Sequence, residues 1–247
     1  MARPTLYIFT ISHYCEKARW ALEYLGFDAD IQTLAPGTHI KVAKGLGLKR
    51  GSVPFLKAGD EIVQGSEAII DWAEKNNTSD KTLHSNNKEV IDIELRLDKQ
   101  LGVHIRRWFY SEAILETPEL VKPIFMHKLS VWEKIKLSIK WPVIQKIMTS
   151  GMDLGYDQGL ESLGVVRQEM NWLEGLINGK KSYLVGDSFS RADLAAASLL
   201  APLVVPKEYS YSGLLSHPPR VEEDRAKMIN SPIYQWVEEK YRHHRRH

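Results

Sequence analysis

A turn near the start of the chain joins a β-prone segment directly to an amphipathic helical segment. Residues 5–10 are typical of a strand, and residues 14–25 carry alanine and leucine side chains at helical spacing. The turn holds Ser12 and the only cysteine, Cys15. Unpaired N–H groups at a helix N-terminus stabilise a thiolate. The turn therefore predicts sulfur chemistry, and the question is whose sulfur reacts.

The first 76 residues alternate between strand and helix patterns. An irregular stretch, 35–51, separates a βαβ pattern from a ββα pattern, and the polar residues 76–81 read as a linker. The expected strands are 5–10, 28–34, 53–57 and 61–64, and the expected helices are 14–25 and 67–76. Beyond the linker, almost every periodic segment is helical. These are near 87–100, 102–115, 130–151, 160–178, 192–205 and 219–242.

These patterns predict an α/β domain of thioredoxin-like order followed by an all-α domain. We expect residues 1–76 to form the first domain, 77–87 the linker and 88–247 the helical domain, which is a normal size for one core. Ser190 and Asp193 stand at N-cap and N3 spacing before an apolar run, which predicts a capping box that starts a buried helix.

Composition narrows the classes of function. A net charge of +2 is too balanced to indicate nucleic acid, and no apolar run reaches the length of a membrane span. One cysteine cannot form an internal disulfide, which indicates a reducing compartment, most simply the cytoplasm. No set of His, Cys, Asp and Glu has zinc-site spacing, so no metal is expected. The lysines along 128–146 and the basic tail 242–247 read as a solvated helix face and a frayed terminus.

Four segments in this order resemble the cytosolic glutathione S-transferases. They are SHYCEKAR at 12–19, VPFL at 53–56, GSEAI at 65–69 and YLVGDSFSRAD at 183–193. The resemblance spans nearly the whole chain. It implies a thioredoxin-like domain that binds glutathione, a helical domain that completes a pocket for a small hydrophobic electrophile, and a homodimer.

The resemblance makes Ser12 the catalytic residue, because it stands where the family hydrogen-bonds the glutathione thiolate. A hydroxyl donor and the helix N-terminus both favour thiolate over thiol. Val53 is expected to pair its backbone with the cysteinyl unit. Proline belongs at a strand start or edge, and a cis Val53–Pro54 bond would leave the Val53 backbone free for this pairing.

The resemblance also assigns contacts for the two ends of glutathione. Ser66 and the helix N-terminus behind it are expected to hold the γ-glutamyl carboxylate. Gly65 stands where the family has an acidic residue or glutamine, so Gln64 or Glu67 is expected to meet the γ-glutamyl ammonium. His39 and Lys41 are expected to contact the glycyl carboxylate.

The second substrate is expected to lie between the two domains. The residues expected to line this pocket are His13, Tyr14, Arg107 and Trp108. Either Arg106 or Arg107 near the site would favour a substrate with an anionic group.

Two alternatives to conjugation stay open: an enzyme that uses Cys15, and a non-catalytic protein with the same fold. Cys15 sits at the second position of a glutaredoxin-like Cys-x-x-Cys pattern whose first cysteine has become Ser12, and a small buried packing role is the simpler interpretation. A glutathione-dependent reductase, peroxidase or lyase would use Cys15 in a mixed disulfide. A non-catalytic protein of the same fold would only hold a ligand or partner.

Overall fold

A mixed sheet with strand order β2-β1-β3-β4 forms the first part of the chain. The structure is a computed structural model that describes residues 3–178 and 181–245. Strand β1 (Thr5–Ile8) runs parallel to β2 (Asp30–Thr33) and antiparallel to β3 (Phe55–Ala58), and β3 pairs antiparallel with β4 (Glu61–Gln64). Leu6 and Leu56 are opposite each other in the register and fully buried. The thioredoxin-like order predicted from the sequence is confirmed.

Three helices belong to this sheet: α1 (His13–Tyr24), α2 (Thr38–Gly45) and α3 (Ser66–Lys75). Helix α1 buries much of its surface, since it packs against α3 and against a helix of the later, helical part of the chain. Helix α2 falls in the stretch predicted to be irregular, so that expectation is wrong. It makes about two turns and buries only Ala43, which leaves no apolar periodicity to detect.

The rest of the described chain is helical, which confirms the expected fold class. The helices are α4 (Lys88–Lys99), α5 (Leu101–Ala113), α6 (Pro118–Phe125), α7 (Val131–Met152), α8 (Tyr156–Ile177), α9 (Arg191–Val204), α10 (Pro219–Met228) and α11 (Pro232–His244). Helix α9 is buried along its whole length, as its run of alanines and leucines requires. None of the described helices is long and apolar enough to cross a bilayer.

Prolines account for two differences from the predicted helices. Helix α6 was not expected, because Pro118 and Pro123 within eight residues argue against a helix, yet Pro118 occupies the tolerated first turn. The single helix expected at 219–242 is two helices. The second of these helices, α11, begins at Pro232. Ser231 is its N-cap, and the Ser231 Oγ accepts from the Tyr234 N–H.

A buried ionic network fastens α1 to the helical domain. The Glu94 carboxylate on α4 accepts from Lys17 Nζ on α1 at 2.9 Å and from Arg191 on α9. Lys17 also donates to Asp98 at 2.6 Å, and Arg191 reaches Asp71 on α3 at 2.6 Å. The side chains of Lys17 and Glu94 are 0% exposed. Each buried charge is therefore neutralised across the domain boundary.

The capping box predicted at the start of α9 is present. The Ser190 N–H and hydroxyl both donate to the Asp193 carboxylate, at 2.8 and 2.6 Å, and the Leu184 N–H donates to its other oxygen at 2.7 Å. Burial raises the pKa of Asp193, although these hydrogen bonds act in the opposite direction. The carboxylate thus ties the 183–190 loop to the start of α9.

The basic tail is not a frayed terminus where the structure describes it. Arg245 is buried and its Nε donates to Glu16 on α1 at 2.9 Å. The His244 carbonyl accepts from the Trp20 indole N–H at 3.1 Å, and the His244 ring stacks on Phe189. The expectation failed because composition cannot show that a buried carboxylate on α1 needs a cation. Arg246 and His247 lie outside the described residues.

Helix α7 has one narrow buried edge and an exposed apolar face. It buries Leu137, Trp141 and Ile144. Its capping box at Ser130 and Glu133 starts a helix that continues through Pro142, in agreement with the single helix expected at 130–151. The large apolar side chains exposed on α7 are Val131, Trp132, Ile135, Ile139, Val143 and Ile147. The helix therefore carries more than the solvated lysine face predicted from its sequence.

Candidate functional site

A cavity of about 550 Å³ opens between the two domains, beside the turn that precedes α1. Its floor comes from 9–14 and from the 36–40 and 52–53 segments of the first domain. Its opposite wall comes from α5 (Ile105, Arg106, Phe109, Tyr110) and from α7 (Ile144, Ile147, Met148, Met152). The volume and the largely apolar lining are those of a small-molecule site.

Ser12 stands at the N-cap of α1 and lines the cavity. Its Oγ accepts from the Cys15 N–H at 3.4 Å, which leaves the hydroxyl proton able to donate elsewhere. Because Ser12 has extended backbone (φ −80°, ψ 115°), the helix begins directly after it with unpaired N–H groups. A negatively charged sulfur in the cavity would meet both a hydroxyl donor and the positive end of a helix.

Cys15 lies in the first turn of α1 but does not line the cavity. It is a free thiol that is 2% exposed. Burial raises its pKa to about 12, although hydrogen bonds with Ser12 and the Phe9 backbone act in the opposite direction. The side chain is therefore a protonated thiol at neutral pH, which suits packing better than nucleophilic chemistry.

The loop that leads into β3 forms the cavity edge beside Ser12. The Val53–Pro54 peptide bond is cis, and Val53 lines the cavity while Pro54 is buried behind it. Among the described residues, no backbone hydrogen bond uses the N–H or C=O of Val53. Gln64 holds this loop: its Nε2 donates to the carbonyls of Arg50 and Ser52 at 2.9 and 2.7 Å. Its amide nitrogen is therefore committed to the loop.

The residues predicted for the two ends of glutathione lie in different surroundings. Ser66 is buried at the first position of α3, and Glu67 is exposed in the same turn. His39 lines the cavity, with its ring edge-on to Phe9 at 4.7 Å. Its Nδ1 accepts from the Gly37 N–H at 3.0 Å, so the neutral ring carries its proton on Nε2. Lys41 is exposed on α2 and does not line the cavity.

His13 and Tyr14 line the cavity and also join the two domains. The His13 Nε2 donates to the Gly102 carbonyl at 3.0 Å, and the Tyr14 hydroxyl donates to the Asp98 carbonyl at 2.7 Å. Burial, and then the charge of Arg106, lowers the His13 pKa to about 3, so the ring is neutral. A Cβ at Gly102 would collide with the Tyr14 hydroxyl, so this close approach requires glycine.

The structure turns Arg106, not Arg107, toward the cavity. Arg107 faces α8, where it donates to Ser162 Oγ at 2.7 Å and pairs with Asp153 and Glu161. Trp108 is 4% exposed and belongs to the core, outside the cavity lining. The lining set expected from the sequence included Arg107 and Trp108, and neither residue lines this cavity. Neighbouring positions on a helix point about 100° apart, so sequence position alone could not tell Arg106 from Arg107.

Several cavity residues were not identified from the sequence. Phe9 and Ile11 flank the turn, Tyr110 follows Arg106 by one helical turn, and Ile144 and Met148 come from α7. Side chains alternate between the two faces of a strand, so the pattern of residues 5–10 could have indicated that the Phe9 side chain points away from the buried face of the sheet. No sequence signal places α7 across from Ser12, because that depends on tertiary packing. Within the described residues, no group of three or more His, Cys, Asp or Glu could hold a metal ion.

Comparisons with known proteins agree with this architecture. Residues 6–80 match the family model for the N-terminal domain of glutathione S-transferases. No curated protein sequence matches the chain.

Solved structures share the fold across nearly the whole chain. Glutathione transferase GSTFuA3 from Phanerochaete chrysosporium aligns at TM-score 0.66 and 13% identity, covering 97% of this chain and 96% of that one. The β-etherase LigF from Sphingobium sp. strain SYK-6 aligns at TM-score 0.58 and 18% identity, covering 96% of this chain and 99% of that one. Maize glutathione S-transferase I, in complex with an atrazine glutathione conjugate, aligns at TM-score 0.56 and 21% identity, covering 98% of this chain and 99% of that one. Likeness at these identities establishes the fold of both domains.

Proposed function

We propose that this chain, whose residues 6–80 match the family model for the N-terminal domain of glutathione S-transferases, conjugates glutathione to a small hydrophobic electrophile. The observation that carries the proposal is the position of Ser12, whose hydroxyl meets an inter-domain cavity at the N-terminus of α1. A donor at this point can stabilise a bound thiolate, and the apolar wall opposite can hold the carbon that the thiolate attacks.

The proposed reaction uses few protein groups. The glutathione thiol gives its proton to solvent, and its thiolate accepts a hydrogen bond from Ser12 Oγ. A new carbon–sulfur bond forms as the leaving group departs with its electron pair. Catalysis then comes from a lowered thiol pKa and from proximity, each unit of pKa being worth about 1.4 kcal/mol. No protein nucleophile takes part in this scheme.

Glutathione itself is proposed to lie along the first domain. The free N–H and C=O of Val53 support pairing with the cysteinyl unit, and the N-terminus of α3 at Ser66 supports binding of the γ-glutamyl carboxylate. Glu67, rather than Gln64, is proposed for the γ-glutamyl ammonium, because the Gln64 amide nitrogen already holds the loop. His39 and Lys41 remain proposals for the glycyl carboxylate.

The direct test is glutathione binding and conjugation by the purified chain. Calorimetry is expected to detect glutathione binding, and a panel of aryl and benzyl halides is expected to show enzymatic loss of halide. Absence of glutathione binding would leave a ligand- or partner-binding protein of the same fold. Binding without turnover on any electrophile, together with turnover of disulfides or hydroperoxides, would favour a reductase or peroxidase.

Cys15→Ala separates conjugation from the cysteine-dependent alternatives. Because Cys15 is buried and protonated, its replacement is expected to leave conjugation within about threefold of wild type, with some loss of packing stability. A folded Cys15→Ala protein that lost all turnover would instead assign the chemistry to Cys15, as a reductase or lyase requires.

A homodimer in the cytoplasm is proposed with this function. The family usually dimerises through both domains, and a single free cysteine fits a reducing compartment. Light scattering at micromolar concentration is expected to give twice the 28.3 kDa chain mass. A monomer mass under these conditions would contradict the dimer without affecting the proposed chemistry.

A further inference from the structure

One wall of the cavity carries a cation that the protein leaves unpaired. Arg106 on α5 lines the cavity, and its Nε is buried without a hydrogen-bond partner among the described residues. Within the described chain, no carboxylate forms an ion pair with it, whereas the adjacent Arg107 pairs with two. A buried guanidinium nitrogen without a hydrogen-bond partner costs free energy unless a ligand or solvent satisfies it.

A second donor stands one helical turn away from this cation. Tyr110 also lines the cavity and is 7% exposed, and its hydroxyl has no hydrogen-bond partner among the described residues. Positions four apart lie on the same face of a helix, so Arg106 and Tyr110 point to one region of the cavity. The wall thus offers a charged donor and a hydroxyl donor side by side.

The neighbouring polar groups do not supply the missing negative charge. The His13 ring is neutral, because burial and the Arg106 charge both lower its pKa. The Tyr14 hydroxyl donates its proton to the Asp98 carbonyl. The rest of the cavity wall around Arg106 is apolar, with Ile105, Phe109 and Ile144 among its residues. In such surroundings a charge interacts strongly with an oppositely charged ligand.

We propose that Arg106 and Tyr110 form an anion-binding subsite of the electrophile pocket, so that the preferred electrophiles are apolar molecules carrying a carboxylate. This inference rests on the proposed function for its chemistry, but the binding of the carboxylate does not require turnover. The guanidinium fork matches a carboxylate in two parallel hydrogen bonds, and the Tyr110 hydroxyl can donate to the same group. The electrophilic carbon then lies at the other end of the molecule, toward Ser12.

Binding is tested with a pair of unreactive ligands. Para-methylbenzoate and its methyl ester have the same ring and differ in charge, and neither has a leaving group. Calorimetry is expected to show that Arg106→Met weakens binding of the carboxylate by about 10- to 100-fold, and Tyr110→Phe by about 3- to 10-fold. The ester is expected to bind both variants within about threefold of wild type. Arg167→Met on α8, which removes an exposed arginine outside the cavity, is the matched control.

Turnover is tested with the corresponding benzyl chlorides. In para-(chloromethyl)benzoate the glutathione thiolate attacks the benzylic carbon and chloride leaves with the bonding electrons. Arg106→Met is expected to lower kcat/KM for this substrate by about 10- to 100-fold and for its methyl ester by less than about threefold. The KM for glutathione is expected to stay unchanged, since glutathione is proposed to lie on the first domain.

Each outcome decides one of the two proposals. Equal losses for acid and ester, a raised KM for glutathione, or a wild-type protein that binds acid and ester equally would overturn the subsite. Charge-dependent binding that Arg106→Met removes, without turnover of either chloride, would uphold the subsite and overturn the transferase function. Arg106→Lys keeps the charge and is expected to retain part of the preference for the acid.

Discussion

Ser12→Ala is expected to lower kcat/KM for glutathione conjugation by about 10- to 100-fold, the value of one hydrogen bond to a charged group. The Ser12 hydroxyl both caps α1 and faces the cavity. Its loss removes the donor to the glutathione thiolate but leaves the helix N-terminus in place. The rate should therefore fall without vanishing. Steady-state kinetics with a fast neutral electrophile give the measurement.

The same substitution is expected to shift the pH dependence in a defined direction. A donor to the thiolate stabilises the charged form and lowers the pKa of bound glutathione. Removing it raises that pKa by about 1 to 2 units, since each unit equals about 1.4 kcal/mol. The ascending limb of kcat/KM against pH should therefore move to higher pH, and the loss of rate should be largest at neutral pH.

Two comparisons keep this result interpretable. Ser12→Thr retains both the hydroxyl and the cap, and is expected to preserve most of the activity. Loss of the cap in Ser12→Ala costs about 1 kcal/mol of stability, which thermal unfolding would register separately. An alanine variant with wild-type kcat/KM and an unshifted pH profile would remove Ser12 from the mechanism.

Glu94→Ala is expected to lower the free energy of unfolding by about 3 to 5 kcal/mol, because it leaves two buried cations without their shared carboxylate. Glu94 joins Lys17 on α1 to Arg191 on α9, and the side chains of Lys17 and Glu94 are 0% exposed. The loss is large because the partners cannot reach solvent. Urea unfolding followed by tryptophan fluorescence measures it.

An exposed acid on the same helix is the control. Asp92 pairs with Lys88 at the surface, and Asp92→Ala is expected to cost at most about 1 kcal/mol. Replacing Lys17, Glu94 and Arg191 together by Met, Leu and Met is expected to recover part of the loss, since the buried carboxylate and both of its cations are removed together. Only Asp98 and Asp71, which are partly exposed to solvent, then lose a cation. A Glu94→Ala protein within about 1 kcal/mol of wild type would show that the network is not needed for stability.

The sequence predicted the fold, and it singled out two segments that border the candidate cavity, because these depend on local signals. The strand–turn–helix pattern around Ser12 needs only neighbours along the chain, and so does the Ser190 and Asp193 capping box. The serine turn and the Val53–Pro54 segment meet at one cavity, as expected, because β1 and β3 are adjacent strands.

The remaining parts of the site depend on contacts between distant segments. The choice between Arg106 and Arg107 depends on how α5 is rotated against α8. Nothing in the sequence indicates that the Glu16 carboxylate pairs with Arg245, which lies more than two hundred residues away along the chain. Helix α7 reaches the cavity although its sequence shows no single apolar stripe, since apolar side chains lie on its exposed face as well as on its buried edge.

The burial of Cys15 has a practical consequence. Since the chain has one cysteine and its thiol is enclosed and protonated, the native surface presents no reactive sulfur among the described residues. A cysteine introduced on α7, for example at Ile139, would therefore be the single site for a fluorescent or spin label. A label there could report changes in the surroundings of α7 as ligands enter, without removing any natural residue from the α1 turn.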